Sequence, residues 1–260
     1  LIANLFFRLR ISLRKKFNIN QKNLNYLSGD FFQSIAKYHN SKLVYCSLKN
    51  FPQKKEFIKN KRKTWIFHNS DEVFDLEKKK RLDYFKPIKC FSQNLIINKK
   101  NYYFLPIGLE NNRYQNYGDI RDFDKLRKIN HKKKPRILYG FNITNKNRIK
   151  IKKNLKKLSI CDETKGWNSF FYRRILKNYM FVICPPGNGI DTHRFWEALY
   201  LKTIPIIEKN EISRFLKKAG FPILLLDKWT DLSKFNEEKL KKFYNSKKKH
   251  FSSKYLFQNY

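Results

Sequence analysis

The sequence predicts an α/β protein made of two halves, each built on a parallel sheet. Three observations carry that prediction. Short runs of successive apolar residues recur along the chain, which is how strands covered on both faces read. Helix-forming stretches lie between several of them, and alternating strand and helix selects parallel α/β architecture. A polar, highly charged stretch at 118–135, ending in Pro135, then divides the strand candidates into two groups of four. The halves expected are 1–130 and 131–260, with a cleft between them.

In the first half, strands are expected at 42–47 (KLVYCS), 64–68 (TWIFH), 89–92 (KCFS) and 102–105 (YYFL). In the second they are expected at 136–141 (RILYGF), 180–184 (MFVIC), 203–207 (TIPII) and 222–226 (PILLL). Helices are expected at 148–158 and 192–201. Near the end of the chain Leu240, Phe243 and Tyr244 share one helical face and are expected to pack on the body. Ligands of open parallel sheets sit at the carboxyl ends of the strands, so the loops after these strands hold the candidate site residues.

Composition narrows the function. The 260 residues include 58 Lys and Arg against 21 Asp and Glu, a net charge of +37. Hydrophobic residues make up 41% and aromatic residues 17%, which excludes a disordered polycation and is enough for a real core. The charge attracts polyanions. Its lysine runs are short and dispersed, at 78–80, 132–134 and 247–249, and read mainly as solvated background. No helix-turn-helix, zinc-finger or RNP pattern accompanies them, so no specific nucleic-acid recognition is expected. Cys46, Cys90, Cys161 and Cys184 form no CxxC pair; separate reduced thiols in a cytoplasmic protein are expected. The chain opens LIANLFFRLRISLRKKF, without Met, and reads as a fragment with a basic, apolar segment suited to a membrane interface. No apolar run approaches the ~18 residues of a membrane span.

The most informative stretch is 181–208, FVICPPGNGIDTHRFWEALYLKTIPIIE. It reads as strand, tight turn, helix, strand. Pro185, Pro186, Gly187, Asn188 and Gly189 can continue neither a strand nor a helix. Asp191 is a good N-cap for the helix that follows. A glycine-containing loop that runs into a helix N-terminus is a ready anion site, since backbone N–H groups and the helix dipole both favour negative charge. Gly187 and Gly189 permit close backbone approach. His193 and Arg194 fall in the first helical turn, where a cation meets the same anion. Asp191 either consumes the free N–H groups as a cap or holds His193 or Arg194 in place. Glu197, one turn after His193, either pairs with it or accepts hydrogen bonds from ribose hydroxyls.

The run from Cys184 to Leu199, followed by Ile204-Pro205-Ile206-Ile207, resembles the donor-binding region of exostosin-like glycosyltransferases. It is also similar to the same element of alpha-1,3-fucosyltransferases, which have Thr-Glu-Lys where this chain has Thr192-His193-Arg194. The resemblance covers about 30 residues. It implies a GT-B fold: two Rossmann-like halves facing a cleft, the first on the acceptor side and the second holding the nucleotide-sugar. It further implies that Arg194 binds the donor diphosphate and Glu197 the ribose. Two positions depart from the pattern. The first of the paired Glu residues of retaining families falls on Gly189, so that motif and its stereochemistry have no support. The Gly usual between the helix and the Ile-Pro strand is Lys202.

Other loops supply further candidates. After the strand at 136–141, Lys146 or Arg148 offers a second positive charge to a diphosphate, stabilising the leaving group as a metal does in other transferases. After the strand at 64–68, His68, Asp71 and Glu72 are each candidates for the base that takes a proton from an acceptor hydroxyl, while Asn69-Ser70-Asp71 equally reads as a helix cap. Gly108 lets the chain turn sharply, and Glu110 beside it is an acceptor-side candidate.

The expected protein is a metal-independent glycosyltransferase without a cofactor. It moves a sugar from a nucleotide-sugar donor to a glycan or lipid-linked acceptor in surface polysaccharide synthesis. It is expected in the cytoplasm, peripheral at the inner face of an anionic membrane. The rival is a non-catalytic basic α/β protein that binds nucleic acid or anionic membrane.

Overall fold

The computed structural model describes residues 26–53, 60–111, 120–130, 132–164 and 169–252. The basic, apolar start of the chain and positions 118, 119 and 131 of the expected boundary lie outside the described residues.

The first sheet has four parallel strands in sequential order: β1 (Leu43–Cys46), β2 (Thr64–Phe67), β3 (Lys89–Ser92) and β4 (Tyr102–Phe104). The second has five, in the order β6-β5-β7-β8-β9: β5 (Lys134–Tyr139), β6 (Cys161–Glu163), β7 (Tyr179–Ile183), β8 (Ile204–Glu208) and β9 (Leu224–Leu226). All its pairings are parallel. The protein is therefore an α/β protein with two Rossmann-like halves. The first sheet lies wholly within 1–130 and the second wholly within 131–260.

Eight expected strands are present, and β6 is the addition. Its residues, Cys161, Asp162 and Glu163, are half-buried at the edge of the sheet, so they carry no apolar run to announce a strand. The order matters for function. From β5 the chain moves outward to β6, then crosses back to β7 on the other side. The loops after β5 and β7 therefore diverge, and the crevice between them is the switch point where ligands of such sheets bind.

Helices connect the strands: α1 (Gly29–Tyr38), α2 (Leu76–Asp83), α3 (Ile120–Lys128), α4 (Lys146–Leu155), α5 (Ser169–Leu176), α6 (His193–Tyr200), α7 (Ser213–Lys218) and α8 (Glu237–Lys247). Side-chain oxygens of Ser28, Asp75, Asn145 and Asn236 cap four of them, each accepting from a backbone N–H three residues on. Phe181, Val182 and Ile183 of β7 are fully enclosed, as are Trp196, Ala198, Leu199 and Tyr200 of α6. Phe243 and Tyr244 of α8 pack against Phe181 with ring centroids 6.2 and 6.3 Å away, as the apolar face of that segment predicts. One cluster of buried apolar residues runs through both halves.

All four cysteines are free thiols, Cys90 and Cys184 being buried. Among the described residues no helix is long and apolar enough to cross a membrane.

Candidate functional site

The two halves are fastened along a seam, and helix α6 with the residues before it is the hub. Asp191 lies at its centre, buried. Its Oδ2 accepts the Ile107 backbone N–H at 2.7 Å, and its carboxylate accepts the Trp196 indole N–H at 2.9 Å. Its own backbone N–H donates to Asn94 Oδ1 at 2.8 Å. Asp191 is therefore not the N-cap the sequence suggests. Thr192 takes that position, without a side-chain bond, and the carboxylate instead ties the second half to the first. Burial raises the Asp191 carboxyl to about 6.

His193 joins the same seam. Its Nδ1–H donates to Gly108 O at 2.8 Å, and its Nε2 lies 3.3 Å from Glu110 Oε2. His193 thus pairs with Glu110 across the halves and not with Glu197 on its own helix. Gly108 has φ 69, and a Cβ there would sit 2.1 Å from Leu27 O, so only glycine lets this turn reach the seam. Tyr200, at the far end of α6, accepts the Leu27 backbone N–H at 3.2 Å.

Arg194 and Glu197 lie three residues apart on α6. Arg194 lies over the ring of Tyr172 from α5, Cζ 5.3 Å from its centroid, and its Nε donates to the Tyr172 hydroxyl at 2.9 Å. This leaves its two Nη groups without a hydrogen-bond partner among the described residues. The Glu197 carboxylate likewise has none there. Burial raises the Glu197 pKa, and the Arg194, Arg173 and His193 charges work against that rise. The helix thus presents a half-buried forked cation, held by an aromatic ring, beside an acceptor with lone pairs to spare.

Arg148 has a different task from the one its position suggests. It is buried, 6% exposed, and its guanidinium donates to Asn142 O at 2.9 Å, Pro186 O at 2.9 Å and Pro185 O at 3.1 Å. It thereby bridges the loop after β5 to the loop after β7, across the switch point. Its capping partner Asn145 adds a bond from Nδ2 to Gly187 O at 3.1 Å. Burial and repulsion from Arg194 lower the Arg148 pKa to about 10, which leaves it charged at neutral pH. Arg148 therefore adds positive potential beside Arg194 while its N–H groups serve the loop. Lys146, at the first turn of α4, is exposed.

The glycine loop is closed upon itself more than a phosphate cradle would be. The Gly187 N–H donates to Gly189 O at 2.9 Å. Gly189 is buried, and a Cβ there would lie 2.7 Å from Asn94 Nδ2 and 3.3 Å from Asp71 O. The close approach it permits is to the first half of the chain. Asn188, between them, is exposed.

The first-half candidates are not brought together. His68 is fully buried, with Nε2 3.0 Å from Pro106 O and Nδ1 3.2 Å from Asn69 Oδ1, and burial lowers its pKa to about 4. It cannot meet an acceptor hydroxyl from there. Asp71 and Glu72 are exposed, and Glu72 lies 3.8 Å from Lys78 Nζ. Glu110 is the one that reaches the seam.

Tyr172 and Asn94, which sequence reasoning passed over, matter here, as does Asn69 in a role other than the cap read for it. Tyr172 positions Arg194. Asn94, at φ 50, donates to Ser70 O at 3.2 Å while accepting from Asp191, so it joins the Asp71 loop to α6. Asn69 Oδ1 accepts from Asn111 Nδ2 at 3.0 Å, and Asn111 Oδ1 accepts the Asp30 N–H at the start of α1. The left-handed asparagines at 69 and 94 were the available signal, since Asn adopts that backbone most readily after Gly.

Among the described residues no three His, Cys, Asp or Glu side chains are grouped as metal ligands would be. No protein-family model matches the chain, and no curated protein matches it.

Proposed function

We propose that the chain is a nucleotide-sugar-dependent glycosyltransferase of exostosin-like type with a GT-B arrangement. It transfers a sugar to a glycan or lipid-linked acceptor at the cytoplasmic face of a membrane, in surface polysaccharide synthesis. The observation that carries this reading is the Arg194–Glu197 pair. A cation with two Nη groups and a carboxylate, neither with a hydrogen-bond partner among the described residues, stand three residues apart beside a parallel-sheet switch point.

In this reading the Arg194 fork binds the donor diphosphate, and Arg148 deepens the positive potential behind it. Glu197 accepts hydrogen bonds from ribose hydroxyls. The acceptor oxygen forms its bond to the anomeric carbon as the bond from that carbon to the phosphate oxygen breaks. The nucleoside diphosphate leaves with the bonding pair, and its growing charge falls on Arg194. The acceptor proton passes to a carboxylate of the first half, of which Asp71 and Glu72 are exposed. The arginines do the work a metal ion does in other transferases, and the reaction is expected to need no metal.

A thermal-shift screen of nucleoside diphosphates and their sugars tests the reading. A rise in melting temperature with a UDP or GDP compound that Arg194→Ala abolishes, without changing the ligand-free melting temperature, supports it. No response to any nucleotide refutes it in favour of a non-catalytic basic protein.

A further inference from the structure

A parallel sheet gathers every turn that enters a strand on one edge and every turn that leaves one on the other. In the first sheet the entering turns are 37–42 (KYHNSK), 60–63 (NKRK), 84–89 (YFKPIK) and 98–101 (NKKN). Together they hold nine Lys or Arg and no Asp or Glu, about twice the cation density of the chain as a whole. Backbone bonds knit the turns into one surface. The Thr64 N–H donates to Lys42 O at 3.0 Å, the Ile88 N–H to Lys63 O at 3.0 Å and the Cys90 N–H to Asn101 O at 2.8 Å. Lys63 Nζ donates to Asn40 O at 3.1 Å.

Seven of the nine cations are exposed. Large apolar groups are exposed among them: Tyr38 at 45%, Tyr84 at 68% and Ile88 at 55%. Asp83, which adjoins the third turn, is occupied by Lys79 and the Tyr102 hydroxyl. Arg62 and Lys86 hold left-handed backbone, φ 57 and 50, where glycine would cost less, so these turns keep a cation against a conformational preference. The leaving edge is the reverse. Its described turns carry Asp71, Glu72, Asp75 and Glu110 against one cation, Lys49. The sheet is thus polarised, basic and apolar on entry, acidic on exit.

We propose that the entering edge of the first sheet is a docking face for an anionic lipid surface. Lysines dominate it, eight of the nine, and a lysine is a point charge suited to the diffuse field of headgroups, whereas recognition of nucleic acid favours the arginine fork. The exposed aliphatic side chain of Ile88 gains nothing from stacking on bases but gains from entering the headgroup layer beside two tyrosines. Docking by this edge turns the seam and α6 away from the bilayer. The inference rests on the sheet and not on the glycosyltransferase reading.

Co-sedimentation of the full chain with vesicles tests it. The chain is expected to bind phosphatidylcholine vesicles enriched in phosphatidylglycerol and to ignore phosphatidylcholine alone. A variant combining Lys61→Glu, Arg62→Glu, Lys86→Glu and Lys100→Glu should lose binding by ~100-fold or more, since each basic residue near an anionic surface contributes roughly fivefold. Tyr84→Ser with Ile88→Ser should lower it by about tenfold, with the loss persisting at high salt, where charge is screened. Reversing Lys217, Lys218, Lys241 and Lys242 on the other half should change it by only a fewfold. Undiminished binding by the edge variant overturns the proposal. So does an equal loss from the control reversal, or tighter binding to single-stranded RNA than to the vesicles. All variants alter exposed side chains, and an unchanged melting temperature confirms their folding. The nucleotide thermal shift reads the Arg194 site separately, so either result leaves the other standing.

Discussion

Asp191→Asn isolates the carboxylate at the centre of the seam. In the folded chain burial raises this carboxyl to about 6, against an ordinary 3.8. The folded state therefore binds the proton more tightly than the unfolded state, and stability falls as pH rises through that window. At ~1.4 kcal/mol per unit the contribution lost between pH 4 and pH 7 is about 3 kcal/mol. For a chain of this size that is about 6–12 °C in melting temperature. The asparagine does not titrate, so the pH-dependence belongs to the difference between the two proteins. Melting curves by circular dichroism, recorded from pH 4 to pH 7 at fixed ionic strength, measure it. The melting temperature of the wild type minus that of Asp191→Asn is expected to fall steadily as pH rises. A constant difference, or one that grows with pH, refutes the reasoning that burial governs this carboxylate.

His68 should show the opposite sign: burial lowers it to about 4, so its contribution is full above pH 6.5 and is lost as pH falls, by about 3 kcal/mol. The melting-temperature advantage of the wild type over His68→Gln should shrink between pH 7 and pH 4, and a pH-independent gap counts against it. Gly189→Ala would place a Cβ 2.7 Å from Asn94 Nδ2, and overpacking of this kind costs ~1–3 kcal/mol. Thermal melts of the single and double variants check this, since Asn94→Ala should cost less in the Gly189→Ala background than alone. Arg194→Ala removes two charge-assisted donor groups, so calorimetry should show nucleoside-diphosphate binding weakened by ~2–4 kcal/mol. Glu197→Gln, which keeps one acceptor oxygen, should weaken it by only about 1 kcal/mol.

The strands of both sheets were legible because buried parallel strands are apolar on successive residues. β6 was not, because an edge strand of Cys161, Asp162 and Glu163 needs no apolar run. The helix carrying Arg194 and Glu197 was legible from the Pro-Gly loop before it, but the sequence offered Glu197 as a partner for His193, which the structure pairs with Glu110. The role of Asp191 was hidden because one of its partners, Ile107, lies 84 residues away and offers only a backbone N–H. Arg148 misled for a related reason: a cation in a loop is visible in sequence, but the three carbonyls that absorb it are set by tertiary placement. Lys202 shows the reverse. It stands where the resemblance leads one to expect glycine, and its φ of 56 keeps the left-handed turn that glycine would serve. The gathering of cations on one edge was not legible. Dispersed lysines look like background along the chain, and only the parallel order of β1 to β4 collects them on one edge.

Helix α6 combines two duties on eight residues. His193 and Tyr200 grip the first half, while Arg194 and Glu197, between them, carry the proposed donor contacts. A rigid helix cannot shift at one pair without shifting at the other. The angle between the halves and the position of the Arg194 guanidinium are therefore coupled. An anion that fits the fork better at one angle pulls the whole chain toward that angle, by no more than its difference in affinity between the two. By reciprocity, if the Arg194 fork binds an anion, loosening His193 or Tyr200 changes that affinity without touching the anion.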